Sequence, residues 1–406
     1  MKRCFDEGRR VSTATRNKPP LRSCAVGRGL LSNEHRTTVI YMNRRQKLQG
    51  DKLLPPVTLR HVKALTDCAG ILQHAKYAIP NRFEGYCVDD NVRALLVTAK
   101  HCSLFRDAST LDLLTTYMAF TFHAQNDDGT MRNFMSYQRD FLDSVGSDEV
   151  LGRTLWACGY TSGALYLPEN VREVAHVIFE RAAIHATNRL SLRGIAYCLL
   201  GFYYAKESFE GAKERIRALA AEILRNYEDT RAPDWEWFED FMSYSNARLP
   251  QAMLLAYDAV GDERLLACGE RTLKFLWDEV VTSNGVINVI GNNGWYVRGK
   301  HRALGDEQAI DVGALVEAFL DAYRVTGKQQ YYRNALECFS WFTGNNLLKL
   351  PIYDEGTGGC FDGLSLEKGV NQNRGAESTI AYLLCRLAFE EVEKPSPSRR
   401  KFTENG

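Results

Sequence analysis

The chain has 406 residues, 45% of them hydrophobic, which is enough apolar content for a large buried core. Residues 1–60 carry 14 Lys and Arg against 4 Asp and Glu, whereas the rest of the chain carries 37 against 46. An acidic body argues against nucleic acid as the main partner, because phosphate binding needs a basic surface. The absence of any run of 18 apolar residues argues against a membrane span.

The basic leader, residues 1–56, has no apolar periodicity and lacks the hydrophobic core of a secretory signal. Three interpretations stay open: a disordered tail, an upstream extension with initiation at Met42, or an organelle transit segment. Its composition buries little apolar surface, so we expect no packed structure from it. The last residues, 396–406, are likewise expected to form a disordered tail.

Twelve helices are predicted after residue 57 from the 3.6-residue apolar period and from capping residues. In chain order, they span 58–79, 88–103, 109–125, 147–163, 168–186, 190–205, 209–228, 246–260, 262–279, 306–326, 328–343 and 375–394.

The connections between these helices alternate in length. Taking the helices as six consecutive pairs, the connections within pairs are mostly long, and they span 80–87, 126–146, 187–189, 229–245, 280–305 and 344–374. Connections between pairs, such as the single Gly261, are short. The long loops therefore share one end, and loops of that length in a compact domain are usually functional or disordered. We predict an all-α fold, an (α/α)6 toroid of six helical hairpins over residues 57–395, with the function at the rim that carries the long loops.

The chain has eleven cysteines, most of them placed singly on predicted helices and without paired spacing. This usage predicts reduced thiols that fill the core as small hydrophobic side chains, in a cytosolic protein. A zinc site or a disulfide framework is not expected.

The densest polar segment follows the first predicted helix, which Pro80 is expected to end. Asp89 or Asp90 is expected to cap the next helix. Two adjacent carboxylates beside Asn91 and Arg93 also suit contact with a polar ligand. The alternative is that the two carboxylates only cap the helix and pair with Arg93.

Three further side chains of this segment are candidates for ligand contact, namely Glu84 and Tyr86 in the turn and His74 near the rim end of the first helix. For His74, a buried histidine held by hydrogen bonds is an equally good interpretation.

The second long loop ends at Ser147, which is expected to cap a helix that places Glu149 and Arg153 four residues apart on one face. Such a pair most often forms an ion pair. At a toroid rim, it can also present a carboxylate to a sugar.

The fourth long loop interleaves aromatic with acidic residues, and its candidates are Trp235, Glu236, Trp237, Glu239, Tyr244, Asn246 and Arg248. Aromatic rings pack on the C–H faces of sugars, while carboxylates and amides bond their hydroxyls. The segment therefore predicts a carbohydrate cleft. The alternative is a loop that buries its own aromatic rings over the core.

The fifth and sixth loops contribute single candidates: Trp295, Asp306, Gln308, Asn371 and Glu377. Asp306, Glu307 and Gln308 are expected to open the tenth helix. Five of the six even-numbered helices begin with a carboxylate or amide cluster followed by small residues. This repeated pattern is more informative than any one residue. Inner helices of a toroid have to be slim.

At TDCAGILQHAKYAIPNRFEGYCVDDNVRALL, NFMSYQRDFLD, GRTLWACG, YSNARLPQAML and GAESTIAYLL, the chain resembles a bacterial group of the six-hairpin glycosidase superfamily. Members of that group are often labelled glycosyltransferases because the domain can be fused to one or encoded beside one. The resemblance covers about residues 58–390, and GYxxDDNxRA is its most specific part. It implies an (α/α)6 toroid with a carbohydrate-active rim, and possible action with a glycosyltransferase. No nucleotide-sugar motif supports transferase activity in this chain itself.

The sequence thus favours a glycoside hydrolase in which two carboxylates flank a glycosidic bond, one protonating the leaving oxygen and the other activating water. Asp90 and Glu239 are the first catalytic candidates. Further catalytic candidates are Glu84, Asp306 and Glu377. The candidates for binding an oligosaccharide or glycan substrate are Asp89, Asn91, Arg93, His74, Tyr86, Glu149, Arg153, Trp235, Glu236, Trp237, Tyr244, Asn246, Arg248, Trp295, Gln308 and Asn371. No metal or other cofactor is expected.

Three rival functions stay open. A sugar epimerase would need two histidines as acid and base, and only His74 and His301 are near the rim. A glycan-binding toroid without chemistry would keep the aromatic residues and lose the carboxylate pair. A terpenoid synthase would need a DDxxD motif, in which this chain has Arg93 at the last position.

Overall fold

The computed structural model describes residues 54–394. The predictions for the leader and for the C-terminal tail therefore lie outside the described residues, apart from residues 54–56. No helix within the described range is both long and apolar enough to cross a lipid bilayer.

Twelve α-helices make up most of the described chain. They are α1 Arg60–Leu65, α2 Val88–Phe105, α3 Leu111–Ala124, α4 Asp148–Gly163, α5 Glu169–Ala183, α6 Leu192–Tyr204, α7 Ala212–Thr230, α8 Arg248–Val260, α9 Glu263–Val280, α10 Ala309–Thr326, α11 Gln329–Phe339 and α12 Ala376–Glu393. Short 3-10 helices at Ala108–Thr110 and Ser340–Thr343 precede α3 and follow α11.

The even-numbered helices form the inner ring of the toroid. Each of them packs against the next one along the chain, and α12 packs back against α2. Of the outer helices, α3, α5, α7, α9 and α11 each cover the inner helix that precedes them, and α1 covers α12. The predicted closed (α/α)6 toroid is confirmed. The tight hairpins are the pairs joined by short connections, such as α8 and α9 around Gly261, rather than the pairs joined by long loops.

The long connections all lead into the N-terminal end of an inner helix, so they meet at one rim. Short antiparallel ribbons join neighbouring loops there: β3 Tyr86–Cys87 pairs with β4 Phe134–Met135, and β5 Phe241–Met242 pairs with β6 Tyr296–Val297. Three further ribbons lie within single loops, namely β1 Ala75–Lys76 with β2 Ile79–Pro80, β7 Tyr353–Asp354 with β8 Gly359–Cys360, and β9 Leu364–Ser365 with β10 Gly369–Val370. The predicted concentration of loops at one rim is confirmed.

Close approach of the inner helices depends on glycine. A Cβ atom on Gly152 of α4 would lie 2.8 Å from the carbonyl oxygen of Gly194, and one on Gly201 of α6 would lie 2.6 Å from the main-chain carbon of Leu155. Neither helix could come as near with a larger residue at these positions. The small residues of the inner helices therefore set the width of the ring.

The predicted first helix is too long. It ends at Leu65, because Asp67 accepts a hydrogen bond from the Ala69 N–H (2.8 Å) and turns the chain. Asn91 of α2 then binds the main chain of Ile71 through both its amide oxygen (2.9 Å) and its amide nitrogen (3.3 Å). These bonds replace the helical ones, so the segment continues as turns and short strands.

Two details of the chain leading into α2 also differ from the sequence-based prediction. Pro80 lies in β2 and ends no helix. The cap of α2 is Cys87, whose sulfur accepts the Asp90 N–H at 3.3 Å, so neither Asp89 nor Asp90 is the N-cap. Both carboxylates lie instead in the first turn of the helix.

The tenth helix begins later than predicted. Asp306 precedes it, and Glu307 pairs with the main chain of Leu364, which keeps this stretch extended until Gln308 reaches the N-cap position of α10. The cap of α4 agrees with the prediction, since the Ser147 hydroxyl accepts the Val150 N–H at 3.4 Å.

The cysteines of residues 54–394 pack as the sequence suggested. Eight of these nine free thiols are buried, and Cys68 is exposed. A small apolar side chain that fills space between helices accounts for their positions.

Candidate functional site

Charged side chains from five of the six inner helices and one rim loop converge at the mouth of the ring. We call them the rim cluster, and they are Asp89, Asp90, Arg93, Glu149, Arg153, Arg193, Glu239, Asp311 and Glu377. All except Glu239 lie in the first two turns of α2, α4, α6, α10 or α12. The positive end of each helix dipole favours carboxylates at these positions.

Arg93 connects the first inner helix with the last. Its guanidinium lies 3.0 Å from Asp90 Oδ1, 3.1 Å from Asp89 Oδ1 and 3.3 Å from Glu377 Oε2. The arginine is buried, whereas Glu377 keeps 45% of its side chain exposed. Glu377 is therefore a carboxylate that is fixed on one side and open on the other.

Arg153 continues the network from α2 to α4. It pairs with Asp89 and, at 2.9 Å, with Glu149, so the predicted ion pair of Glu149 and Arg153 is confirmed. The hydroxyl of Tyr244 donates to the second oxygen of Glu149. The guanidinium also lies 4.7 Å from the ring centre of Tyr197 on α6.

Arg193 on α6 anchors the fourth rim loop. It donates to Glu239 (2.9 Å), to the carbonyl oxygen of Tyr244 (2.7 Å) and to Asn246 Oδ1 (3.1 Å). Sequence reasoning missed this arginine because the connection before α6 is too short to form one of the long rim loops. Its position in the first turn of a predicted inner helix, just after Ser191, was the available signal.

Asp311 on α10 differs from the other rim carboxyl groups. Its Oδ1 accepts the main-chain N–H of Ser245 at 2.6 Å, and Ser245 has a positive φ of 48°. Within the described chain no Lys, Arg or His lies within 4 Å of its carboxyl group, although each of the other five carboxylates of the cluster pairs with an arginine. The pKa of Asp311 is raised to about 8, mainly by burial and also by the charge of Glu377, while the Ser245 N–H and Arg193 oppose the rise.

The two adjacent aspartates of α2 have opposite electrostatic surroundings. Burial raises the pKa of Asp90 to about 6, although Arg93 opposes the rise. Burial also acts against ionisation of Asp89, but Arg153 and Arg93 outweigh it and lower the pKa of that group. Both oxygens of Asp90 are occupied, since the thiol of Cys87 donates to Oδ2 at 3.0 Å and Arg93 binds Oδ1.

The aromatic residues of the fourth loop divide into buried and exposed groups. Trp235 and Trp237 are buried, which is incompatible with their predicted stacking on a sugar. They pack near Phe275 instead, so the interpretation that the loop covers the core holds for these two rings. Tyr244 and Trp295 lie against each other at 6.4 Å, and Trp295 is 38% exposed.

Several binding candidates have structural partners that account for them. Asn91 holds the main chain of Ile71, and Arg248 lies in the ring interior, bound to Glu317 (2.5 Å) and Gln251 (2.7 Å). Glu236 accepts a hydrogen bond from Tyr227 of α7. These hydrogen bonds give the three side chains a structural role.

Other candidates lie in rim loops outside the rim cluster. Glu84, His74 and Asn371 are exposed and make no side-chain contact with the cluster among the described hydrogen bonds. Asp306 is half-buried at a positive φ of 50°. His74 therefore belongs to an exposed loop, not to a helix.

Two more candidates stay near the rim without joining the cluster. Tyr86 is buried, and its hydroxyl donates to Asp67 at 2.7 Å. Gln308 stands at the N-cap of α10 without a capping bond from its side chain.

Glu307 is a buried carboxyl group that sequence reasoning did not single out as a site. It accepts hydrogen bonds from Trp341 (2.7 Å) and Asn288 (2.8 Å), and burial raises its pKa to about 7. Because both oxygens are bound inside the protein, its role is structural. Within residues 54–394, no group of three or more His, Cys, Asp and Glu side chains has a geometry that could hold a metal ion.

No protein-family model matches this sequence, and a comparison with curated proteins found no match. Solved structures do resemble it. A sugar epimerase from a ruminal bacterium is 14% identical, with 82% of this chain and 95% of that chain covered and a TM-score of 0.64. The cellobiose 2-epimerase of Bacillus thermoamylovorans is 12% identical, with 82% and 94% covered and a TM-score of 0.65.

The α-1,6-mannanase of a Salegentibacter species is 13% identical, with 82% of this chain and 96% of that chain covered and a TM-score of 0.55. At these identities the likeness establishes the fold alone. The chain therefore has the (α/α)6 toroid fold that these structures share.

Proposed function

We propose that this chain is a carbohydrate-active enzyme that hydrolyses glycosidic bonds with carboxyl groups of the rim cluster. The fold supports the carbohydrate part, because the solved structures that share it include sugar epimerases, a mannose isomerase and mannanases. The arrangement of carboxyl groups supports the hydrolytic part.

The observation that carries this proposal is the environment of Asp311. It is buried at the mouth, no arginine within residues 54–394 pairs with it, and burial raises its pKa to about 8. The proposal therefore takes it as a protonated carboxylic acid at neutral pH. A glycosidase needs one protonated carboxyl group to give its proton to the leaving oxygen. Asp311 is the general acid in this proposal, and the Ser245 N–H holds its other oxygen in place.

Glu377 is the partner base. It stands in the first turn of α12, the inner helix next to α10, and Arg93 binds only its Oε2. An ionised carboxylate with one open oxygen can take a proton from water as that water attacks the sugar. Arg93 also holds the orientation of this carboxylate.

Two of the remaining rim carboxylates, Glu149 and Glu239, are held by arginines and serve to bind sugar hydroxyls. Glu149 is fixed by Arg153 and Tyr244, and Glu239 is fixed by Arg193. A hydrogen-bonded carboxylate held in this way loses little side-chain entropy when it binds a hydroxyl.

A second assignment uses the consecutive aspartates Asp89 and Asp90. A solved form of the Salegentibacter mannanase is described as inactive with two consecutive aspartates replaced by alanine. The opposite pKa shifts of Asp89 and Asp90 are also what an acid and base pair requires. Against it, both oxygens of Asp90 already have partners. Asp90 and Glu239, the first candidates from the sequence, therefore rank after Asp311 and Glu377.

Sugar epimerisation is the second candidate function. The two epimerase structures have higher TM-scores, 0.64 and 0.65, than the mannanase at 0.55. Within the described residues, however, no histidine belongs to the rim cluster, and His74 and His301 are exposed in loops. Carboxyl chemistry suits this mouth better than a histidine pair. Glycan binding without chemistry, and action together with a glycosyltransferase, are the remaining alternatives.

One experiment separates these functions. The protein is incubated with a panel of neutral oligosaccharides, and the products are separated by chromatography. New reducing ends that disappear in the Asp311→Asn variant are expected. Conversion of the reducing sugar to its epimer without chain shortening would replace hydrolysis by epimerisation, and binding without any product would leave a glycan-binding toroid.

A further inference from the structure

The ribbon of β5 and β6 presents an exposed apolar face beside the rim cluster. Side chains alternate along a strand, and here Phe241, Trp295 and Val297 are exposed at 36 to 38%, while Met242 is buried. Phe241 stands opposite Val297 in the ribbon. The rings of Phe241 and Trp295 are nearly parallel, 18° apart, with their centres 6.5 Å apart.

This surface is held rigidly. Trp295 has a positive φ of 53°, which is a strained backbone conformation for a bulky side chain. Its main chain is fixed on both sides, because its N–H donates to Gly291 (3.2 Å) and its carbonyl accepts from Ala303 (2.7 Å). Behind the ribbon, Tyr296 packs edge-on against the buried Trp235 at 5.1 Å. The indole of Trp295 is thus positioned before any ligand binds.

The surface continues into the rim cluster through Tyr244. The Tyr244 ring lies 6.4 Å from that of Trp295, its hydroxyl binds Glu149, and the guanidinium of Arg193 lies 5.4 Å from its centre. A ligand on the indole would therefore have carboxylates within reach at its edge. Flat C–H faces and hydroxyl edges are the two features of a pyranose ring.

We propose that Phe241, Trp295 and Tyr244 form a binding subsite for a pyranose ring of a neutral oligosaccharide whose chain extends across the mouth. This inference rests on the proposed function and adds the class of substrate. Apart from Asp311, which the proposed function takes as protonated, the rim cluster holds five carboxyl groups against three guanidinium groups. Uronate or phosphorylated sugars are therefore repelled. The exposed Asp240, next to Phe241, pairs with Arg298 at 3.4 Å and so adds no net charge beside the subsite.

The test uses the tryptophan itself. All six tryptophans lie in the described chain, and Trp295 is the one that is exposed, so it dominates quenching of the fluorescence by acrylamide. Cellotetraose and α-1,6-mannotetraose are titrated into the Asp311→Asn protein. At least one of them should protect the fluorescence, whereas tetragalacturonic acid should not.

Matched variants complete the test. Binding by these variants of the Asp311→Asn protein is measured by isothermal titration calorimetry, because Trp295→Ala removes the fluorescent reporter. Trp295→Ala should weaken binding of the protecting sugar at least about tenfold, because it removes stacking and apolar contact. Tyr166→Ala removes an exposed aromatic ring on the α4–α5 connection at the other end of the toroid, and it should bind as its parent does. Unchanged affinity in Trp295→Ala, or no protection by either neutral sugar, would overturn the subsite.

The outcome is separable from that of the proposed function. A sugar that binds at Trp295 but is never cleaved by the unmodified protein would remove hydrolysis and leave the subsite standing. A sugar that the Trp295→Ala variant cleaves with an unchanged KM would remove the subsite and leave hydrolysis standing.

Discussion

The guanidinium of Arg93 lies 3.3 Å from the carboxylate of Glu377, and this ion pair joins the first inner helix of the toroid to the last. The two residues are separated by most of the domain in sequence. Arg93 also neutralises Asp89 and Asp90 on its own helix. One buried side chain therefore links the first and last inner helices of the ring and positions a proposed catalytic carboxylate.

Replacing Arg93 by Met is expected to destabilise the protein by about 3 to 5 kcal/mol, because it leaves buried carboxylates without a counter-charge. Urea unfolding monitored by circular dichroism measures this loss. Arg217→Met is the matched control, since Arg217 pairs with Glu214 on an exposed face of α7 and should matter little. Equal stability of the two variants would show that Arg93 does not close the ring.

Asp311→Asn is expected to lower kcat on a cleaved oligosaccharide by at least about a hundredfold, the usual size of a general acid contribution. The amide keeps the hydrogen bond to Ser245, so the fold should be intact. Glu307→Gln is the control, because Glu307 is also a buried carboxyl group of raised pKa but is bound by Trp341 and Asn288. It should cost stability and little activity. A fully active Asp311→Asn enzyme would remove Asp311 as the acid.

The activity should fall as the pH rises through about 8, because Asp311 loses the proton that it has to donate. A pH profile of kcat measures this limb. Tyr166 lies far from the mouth, so the Tyr166→Ala variant should have the same midpoint as the unmodified protein. A high-pH limb that is absent, or that Asp311→Asn leaves unchanged in shape, would contradict the assignment.

Stability should depend on pH in a related way. Because the folded pKa of Asp311 is raised to about 8, whereas an unfolded aspartate titrates near about 4, the folded state binds the extra proton between these values. The stability contributed by this group therefore declines as the pH rises from about 4 to 8. Asp311→Asn should gain stability relative to the unmodified protein between pH 5 and pH 9. A constant difference in melting temperature across that range would contradict the raised pKa.

Asp90→Asn and Glu239→Gln decide between the two catalytic assignments. If Asp311 and Glu377 perform the chemistry, the two variants should lower turnover much less than Asp311→Asn does, and should mainly cost stability through loss of their arginine partners. Parallel measurements of kcat and of urea unfolding distinguish these effects. A loss of about a hundredfold in kcat with unchanged stability in both variants would return the assignment to Asp90 and Glu239.

Removal of residues 1–50 is expected to leave the melting temperature nearly unchanged. The composition of this segment cannot bury enough apolar surface to offset the entropy of ordering it. A thermal melt of the shortened protein beside the full chain measures the effect. A drop of many degrees would show that the leader packs on the domain.

The sequence alone predicted the number of helices, the closed toroid and the single rim of long loops. These features follow from local signals, since apolar periodicity marks each helix and residues such as Ser147 mark where one begins. The one large error, the extension of the first helix beyond Leu65, arose because Asn91 on the next helix binds the main chain of Ile71. No signal within the segment itself reports that bond.

The candidate site depended much more on tertiary structure. The sequence identified the carboxylates and aromatic rings of the rim. It could not distinguish the buried Trp237 from the exposed Trp295, because both lie in long predicted rim loops beside polar residues. It also could not show which carboxyl group lacks a cation. Arginine partners come from helices far apart in the chain, as Arg93 does for Glu377. Only the folded ring therefore determines that Asp311 has no such partner within residues 54–394. Burial and ion pairing are properties of that three-dimensional arrangement, and they set the pKa values on which the proposed chemistry depends.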